Sequence, residues 1–140
     1  MIIVFDTCII IDYLLNRDEF INDAESLIEL VFQEKIIGLL TSKSIADIHY
    51  ILKHQLHDEV KVRQILSELL NFFQILETSA EAVLSALKSD VKDYEDALLI
   101  ETADLFLVDG IVTRNTKDFK KSKVTVYSPK ELIFLLNKKI

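Results

Sequence analysis

Apolar residues alternate between short continuous runs and helically spaced sets along this chain. Ile2 to Phe5 is a fully apolar run stopped by Asp6, the pattern of a central buried parallel strand. Ala24, Leu27, Ile28, Leu30, Val31 and Phe32 recur at helical spacing and predict a helix from about Phe20 to Lys35. Ile36 to Leu40 reads as a second strand. A helix beginning at Ser42 or Ser44 follows, with Ile45, Ile48, Ile51 and Leu52 inward. Val62, Ile65, Leu66, Leu69 and Leu70 predict another helix over Glu59 to Asn71. Phe72 to Leu76 reads as a third strand and Ser79 to Leu87 as a helix. Asp93 to Leu107 is helical, Gly110 to Thr113 a fourth strand and Val124 to Tyr127 a fifth. Pro129 opens a final helix in its first turn.

Strands that alternate with helices imply a parallel sheet covered on both faces. The expectation is a three-layer α/β/α sandwich with a central five-stranded parallel sheet, formed as a single domain over residues 1–140. Two Gly and one Pro leave little room for long irregular segments. A lone cysteine, Cys8, forms no internal disulfide and favours a reducing cytoplasm. No leader pattern precedes Asp6, and no apolar run approaches the roughly 18 residues of a membrane span. These features point to a soluble cytoplasmic protein.

In open α/β sheets, ligands sit beyond the carboxyl ends of the strands, at a topological switch point. Asp6 follows strand one directly, and Thr113, Asn115 and Asp118 follow strand four. The helices that carry Asp47 and Asp96 begin at the same end. Connectivity therefore draws Asp6, Asp47, Asp96 and Asp118 to one rim. Two carboxylates about 4 Å apart repel by roughly 4 kcal/mol at an effective dielectric near 20. Clustered acids either take up protons or bind a cation. With no His or Cys in the set, hard oxygen donors favour Mg²⁺ or Mn²⁺ over zinc. Such ions on a phosphodiester activate water and neutralise the leaving oxygen, so no nucleophilic side chain is needed.

Local roles stay open for each acid. Asp6 fits an N-cap, and Ser44 with Asp47 fits a capping box. Asp93, Glu95 and Asp96 suit a helical first turn, and Asp118 suits a local ion pair. Asp93 and Asp96 also share a helical face with Ile100 and Ala103. The net charge of −7 argues against a general nucleic-acid binder. Its distribution is uneven: Thr113 to Lys123 holds Arg114, Lys117, Lys120, Lys121 and Lys123 against Asp118 alone, a net +4 that leaves −11 elsewhere. A solvated charged loop and a phosphate-facing patch both fit. His54 and His57 lack a third ligand, and Cys8 fits a small core residue better than a nucleophile. A phosphatase of the Asp-x-Asp type needs a second acid that Asp6-Thr7-Cys8 lacks. A receiver-type phosphoacceptor, which usually pairs acids at the end of the first strand, finds one there and would be revived by stable labelling with a small phosphodonor. There is no P-loop and no Gly-rich dinucleotide fingerprint.

Four segments together resemble the PIN-domain family of nucleases, and within it the toxins of type II toxin–antitoxin modules. They are Ile3-Val4-Phe5-Asp6-Thr7-Cys8, Thr41-Ser42 through Asp47-Ile48-His49-Tyr50, Asp93-Tyr94-Glu95-Asp96-Ala97, and Val112-Thr113-Arg114-Asn115-Thr116-Lys117-Asp118-Phe119. Tyr127-Ser128-Pro129-Lys130-Glu131-Leu132 is similar to the family's last strand and helix. The resemblance implies an endoribonuclease dependent on Mg²⁺ or Mn²⁺, with an RNA substrate. It further implies a homodimer held inactive by a cognate antitoxin protein. Asp6, Asp47, Asp96 and Asp118 would be catalytic, with Asp6, Asp96 and Asp93 on the metal. Thr7, Thr113 and Asn115 would be auxiliary, and Arg114, Lys117, Lys120 and Lys121 would hold RNA phosphates. Asp47 stands where many relatives carry Glu, and Asn115 where many carry the fourth acid. Either Asp118 supplies that carboxylate or Asn115 binds through its amide oxygen. The alternative is a PIN-like interaction module with weak or lost catalysis.

Overall fold

The computed structural model describes residues 1–138; residues 139 and 140 of the expected domain lie outside the described residues. The strands are β1 (Ile2–Phe5), β2 (Ile37–Thr41), β3 (Gln74–Leu76), β4 (Gly110–Val112) and β5 (Val126–Tyr127). They form one sheet in the order β3-β2-β1-β4-β5. Every neighbouring pair is parallel, as the uninterrupted apolar runs required.

Two helices fill each of the first three connections. They are α1 (Thr7–Leu14) and α2 (Ile21–Phe32), α3 (Ser42–Leu56) and α4 (Glu59–Leu69), then α5 (Ala80–Leu87) and α6 (Tyr94–Asp104). A 3-10 turn (Thr116–Phe119) links β4 to β5, and α7 (Pro129–Lys138) closes the described chain. The period-two alternation of strand side chains builds the layers. Ile3 and Phe5 of β1 face the larger core with α1, α2, α3, α4 and α7, while Val4 faces α6 with Leu99, Ile100 and Ala103. Ala82 and Ala86 of α5 pack on Ala97 and Leu98 of α6. The expected α/β/α sandwich with a five-stranded parallel sheet is the fold observed.

Several boundaries differ from the sequence expectation. The run Thr7 to Leu14 carries no helical periodicity of polar positions, yet it is α1, because Asp6 caps it and the helix is buried on most sides. Strand three begins at Gln74 rather than Phe72. Phe73 turns inward, packing edge-on against Phe5 and over Gly38, where a Cβ would lie 2.6 Å from its ring. Val124 and Thr125 precede β5 rather than belonging to it. No helix among the described residues is long and apolar enough to cross a membrane.

Strand order reverses at β1. The chain runs outward through β2 and β3, then returns to the other side of β1 for β4 and β5. The crevice between β1 and β4 is therefore the switch point at which a ligand is expected.

Candidate active site

Asp6 ends β1 and caps α1. Its Oδ1 accepts the Thr7 N–H at 2.8 Å, and its Oδ2 accepts the Thr113 hydroxyl at 2.7 Å. Thr113 follows β4 directly and is fully buried, so one hydrogen bond closes the switch-point crevice. The Asn115 N–H donates to Thr113 Oγ1 at 3.1 Å, fixing the hydroxyl's proton toward Asp6. Burial raises the Asp6 carboxyl above its ordinary value, opposed by the hydrogen bonds from Thr113, Thr7 and Cys8 and by the charge of Arg114. Cys8 is half-buried, and burial together with the Asp6 charge pushes its thiol up to about 11. It is no thiolate nucleophile at neutral pH.

Three helix N-termini point at this rim. Thr41, at the end of β2, caps α3 by accepting the Ser44 N–H, and its hydroxyl donates to Ser44 Oγ at 2.9 Å. The cap is thus Thr41 rather than Ser44, and Asp47 takes no part in a capping box. Asp93 caps α6 through the Asp96 N–H at 3.0 Å. The N-terminal ends of α1, α3 and α6 each add a partial positive charge that favours anions beside them.

A cleft of about 230 Å³ opens here, lined by Asp6, Lys43, Asp47, Glu95 and Asp96 among others. A second groove of about 550 Å³ is lined by Asp93, Asp96 and Asp118 and by Lys92, Lys117, Lys120 and Lys121. Asp96 lines both. Its carboxyl is pushed up to about 7 by burial first, then by the charges of Asp93, Asp6, Asp118 and Glu95. Asp6, Asp93, Glu95, Asp96 and Asp118 are thus electrostatically one group, with Asp47 outside it. Clustering of this kind raises the affinity of the site for a proton or a cation.

Four expected residues have other partners within the fold. Asp47 lies at the cleft but is paired with Lys43, whose Nζ sits 2.6 and 2.7 Å from its two oxygens. Asp93 is exposed and serves as a cap, acting on Asp96 through charge. Asn115 is exposed at the start of the 3-10 turn and reaches the site through its backbone N–H. Arg114 is taken up by the buried Asp12 at 2.6 and 3.2 Å and lies 3.8 Å over the Phe20 ring. Its guanidinium is engaged inside the fold rather than in the basic groove. Lys123 is likewise tied to Glu101 at 2.9 Å, whereas Lys117, Lys120 and Lys121 line the groove. Lys43, Lys92 and Asp12 were missed by sequence reasoning, and Glu95 was legible only as a first-turn acid. Only Lys43 left a signal there, its i,i+4 spacing from Asp47.

The fold and this rim define an α/β protein with an acidic cleft at its switch point, flanked by a basic groove. Residues 2–117 match the family model described as the PIN domain, and the chain belongs to that family. No curated protein matches it. Among solved structures, a toxin–antitoxin complex from Klebsiella pneumoniae is similar at 26% identity and a TM-score of 0.67, covering 90% of this chain and 96% of that one. VapBC2 from Rickettsia felis, bound to a DNA fragment from its promoter, has 19% identity and a TM-score of 0.67 over 91% and 98% of the two chains. FitAcB from Neisseria gonorrhoeae has 20% identity and a TM-score of 0.65 over 91% and 98%. The last two share the fold.

Proposed function

We propose that this chain is a metal-dependent endoribonuclease that hydrolyses RNA phosphodiester bonds and acts as the toxin of a toxin–antitoxin pair. One observation carries the chemistry: Asp96 lies at the junction of an acidic cleft and a lysine-lined groove, where burial and the charges of Asp93, Asp6, Asp118 and Glu95 raise its carboxyl. Membership of the PIN-domain family supports a nuclease. The structural likeness to a toxin–antitoxin complex supports an antitoxin partner.

The residues fit Mg²⁺ or Mn²⁺ in donor chemistry. Every side-chain donor at Asp6, Asp96 and Asp118 is an oxygen, and their mutual repulsion is what a hard divalent cation relieves. Among the described residues, no three His, Cys, Asp or Glu side chains already close around a single point. Asp6 and Asp96 would hold the ion, with Asp118 and Asp93 adding charge from the rim. When bound, such an ion activates water and neutralises the leaving oxygen.

The chain's own residues do the rest. Thr113 and the Thr7 N–H hold Asp6 in one orientation. Lys117, Lys120 and Lys121 pair with phosphates along the RNA strand and bring the scissile one beside Asp96. Water oxygen bonds to phosphorus as a P–O ester bond breaks, the water's proton passes to solvent, and the departing oxygen takes up a proton from solvent. A second reading, an interaction module without catalysis, is favoured by the Lys43 pair on Asp47 and by Asn115 in place of an acid.

The test is cleavage of total RNA by purified protein with Mn²⁺, with EDTA, and with Asp96→Asn. Metal-dependent cleavage lost in the variant is the expected result. Absence of cleavage together with no Mn²⁺-induced thermal stabilisation would hand the case to the interaction module.

A further inference from the structure

The Lys43 ammonium sits inside an acidic cleft, not merely on a helix surface. Both Asp47 oxygens receive it, at 2.6 and 2.7 Å, and Glu95 Oε1 lies 3.7 Å away. Asp47 and Lys43 belong to α3 while Glu95 belongs to α6, so the ammonium spans the mouth between two helices. Lys43 lines the same cleft as Asp6 and Asp96. Its backbone is anchored as well: its N–H donates to Thr78 Oγ1 at 3.2 Å, and the Thr78 N–H donates to Ser42 Oγ at 2.9 Å. The end of β3 thus pins the start of α3 and the base of this side chain.

The acids of the rim divide in two. Asp93, Asp6, Asp118 and Glu95 press on Asp96. Asp47 has its charge met by Lys43. A metal ion at Asp47 would have to break two short charge-assisted hydrogen bonds that already satisfy the carboxylate.

We propose that Lys43 is a built-in cation that takes the place of a second metal ion, leaving the cleft one divalent position at Asp6 and Asp96. This rests on the metal-dependent reading above. The fixed ammonium faces the cleft that a scissile phosphate would enter, and it neutralises charge there without being exchanged with solvent.

The experiment counts Mn²⁺ bound by the full chain, by calorimetric titration and by the spin-resonance signal of free Mn²⁺. The wild type should take up one ion, and Lys43→Arg, which keeps the cation, should also take up one. Lys43→Met should take up a second, weaker ion, because Asp47 and Glu95 are freed. Circular dichroism checks that each variant is folded, which the half-exposed position of Lys43 favours. Two ions in the wild type, or one in both wild type and Lys43→Met, would overturn the role of Lys43 alone. No uptake by the wild type would overturn the metal-dependent reading, and this inference with it.

Discussion

Thr113 Oγ1 donates to Asp6 Oδ2 across 2.7 Å, joining the ends of the two strands that flank the switch point. Thr113 is fully buried, and its only hydroxyl proton is directed to Asp6 because its oxygen already accepts from Asn115. Thr113→Val keeps the shape and removes the donor. A lost hydrogen bond to a charged group should destabilise the fold by about 1.5–3 kcal/mol. Loss of an outer partner of the acid proposed to hold the ion should also weaken Mn²⁺ affinity by roughly 10–100-fold. Urea unfolding and Mn²⁺ titration check both effects. An unchanged affinity would mean that Thr113 only braces the strands.

Asp96 makes the stability of the metal-free protein depend on pH. Its carboxyl rises from 3.8 to about 7 on folding, so the folded state binds the proton more tightly than the unfolded chain does. Stability therefore falls as pH rises from about 4 to about 7, and the loss is complete above that window. After screening by solvent, the effect should be on the order of 1–2 kcal/mol. Asp96→Asn should melt higher than the wild type at pH 8 in EDTA and should match it near pH 4. Mn²⁺ should reverse the order at pH 8, since only the wild type gains the stabilisation of a bound ion. A wild type that is more stable than Asp96→Asn at pH 8 in EDTA would contradict the crowding of charge on Asp96.

How far the sequence reached depended on the range of the interaction. An apolar run ending in an acid announces a buried strand and what lies at its tip, so Asp6 and the rim were legible. Asp93 before Glu95-Asp96 announced the start of α6 for the same local reason. The helix α1 was hidden because Ile9, Ile10 and Ile11 look like strand residues, and only burial from several sides makes them helical. Arg114 was read as a phosphate ligand from its basic neighbours. Its partner Asp12 lies 102 residues away, and no spacing rule links them. Lys43 and Asp47 are the reverse case, an i,i+4 pair whose spacing is legible in the sequence.

The Asp12–Arg114 pair should be among the costliest in the protein to break. Asp12 is 1% exposed, and Arg114 bridges it to the Phe20 ring while sitting between Thr113 and Asn115. Arg114→Met leaves a buried carboxylate with, among the described residues, only Arg17 at 3.6 Å, and should destabilise the fold by about 3–5 kcal/mol. The double variant Asp12→Leu with Arg114→Met removes both charges and should recover much of that loss. Equal stabilities for the single and double variants would show that the pair is not coupled.

Binding of RNA should divide the basic segment into two kinds of residue. Lys117, Lys120 and Lys121 are exposed and line the groove beside Asp96, whereas Lys123 is tied to Glu101 and Arg114 to Asp12. On single-stranded RNA, each phosphate contact contributes about 0.7 to the slope of log affinity against log salt. Replacing Lys117, Lys120 and Lys121 with Ala should therefore lower that slope by roughly 2 and weaken binding across sequences alike. Lys123→Ala should leave the slope unchanged, because its charge already answers a buried carboxylate. The measurement is fluorescence anisotropy of a labelled RNA with the Asp96→Asn protein, between about 50 and 200 mM salt. If Lys123→Ala lowered the slope as much as the groove variants do, RNA would follow the edge of α6 rather than the groove between Asp96 and Asp118.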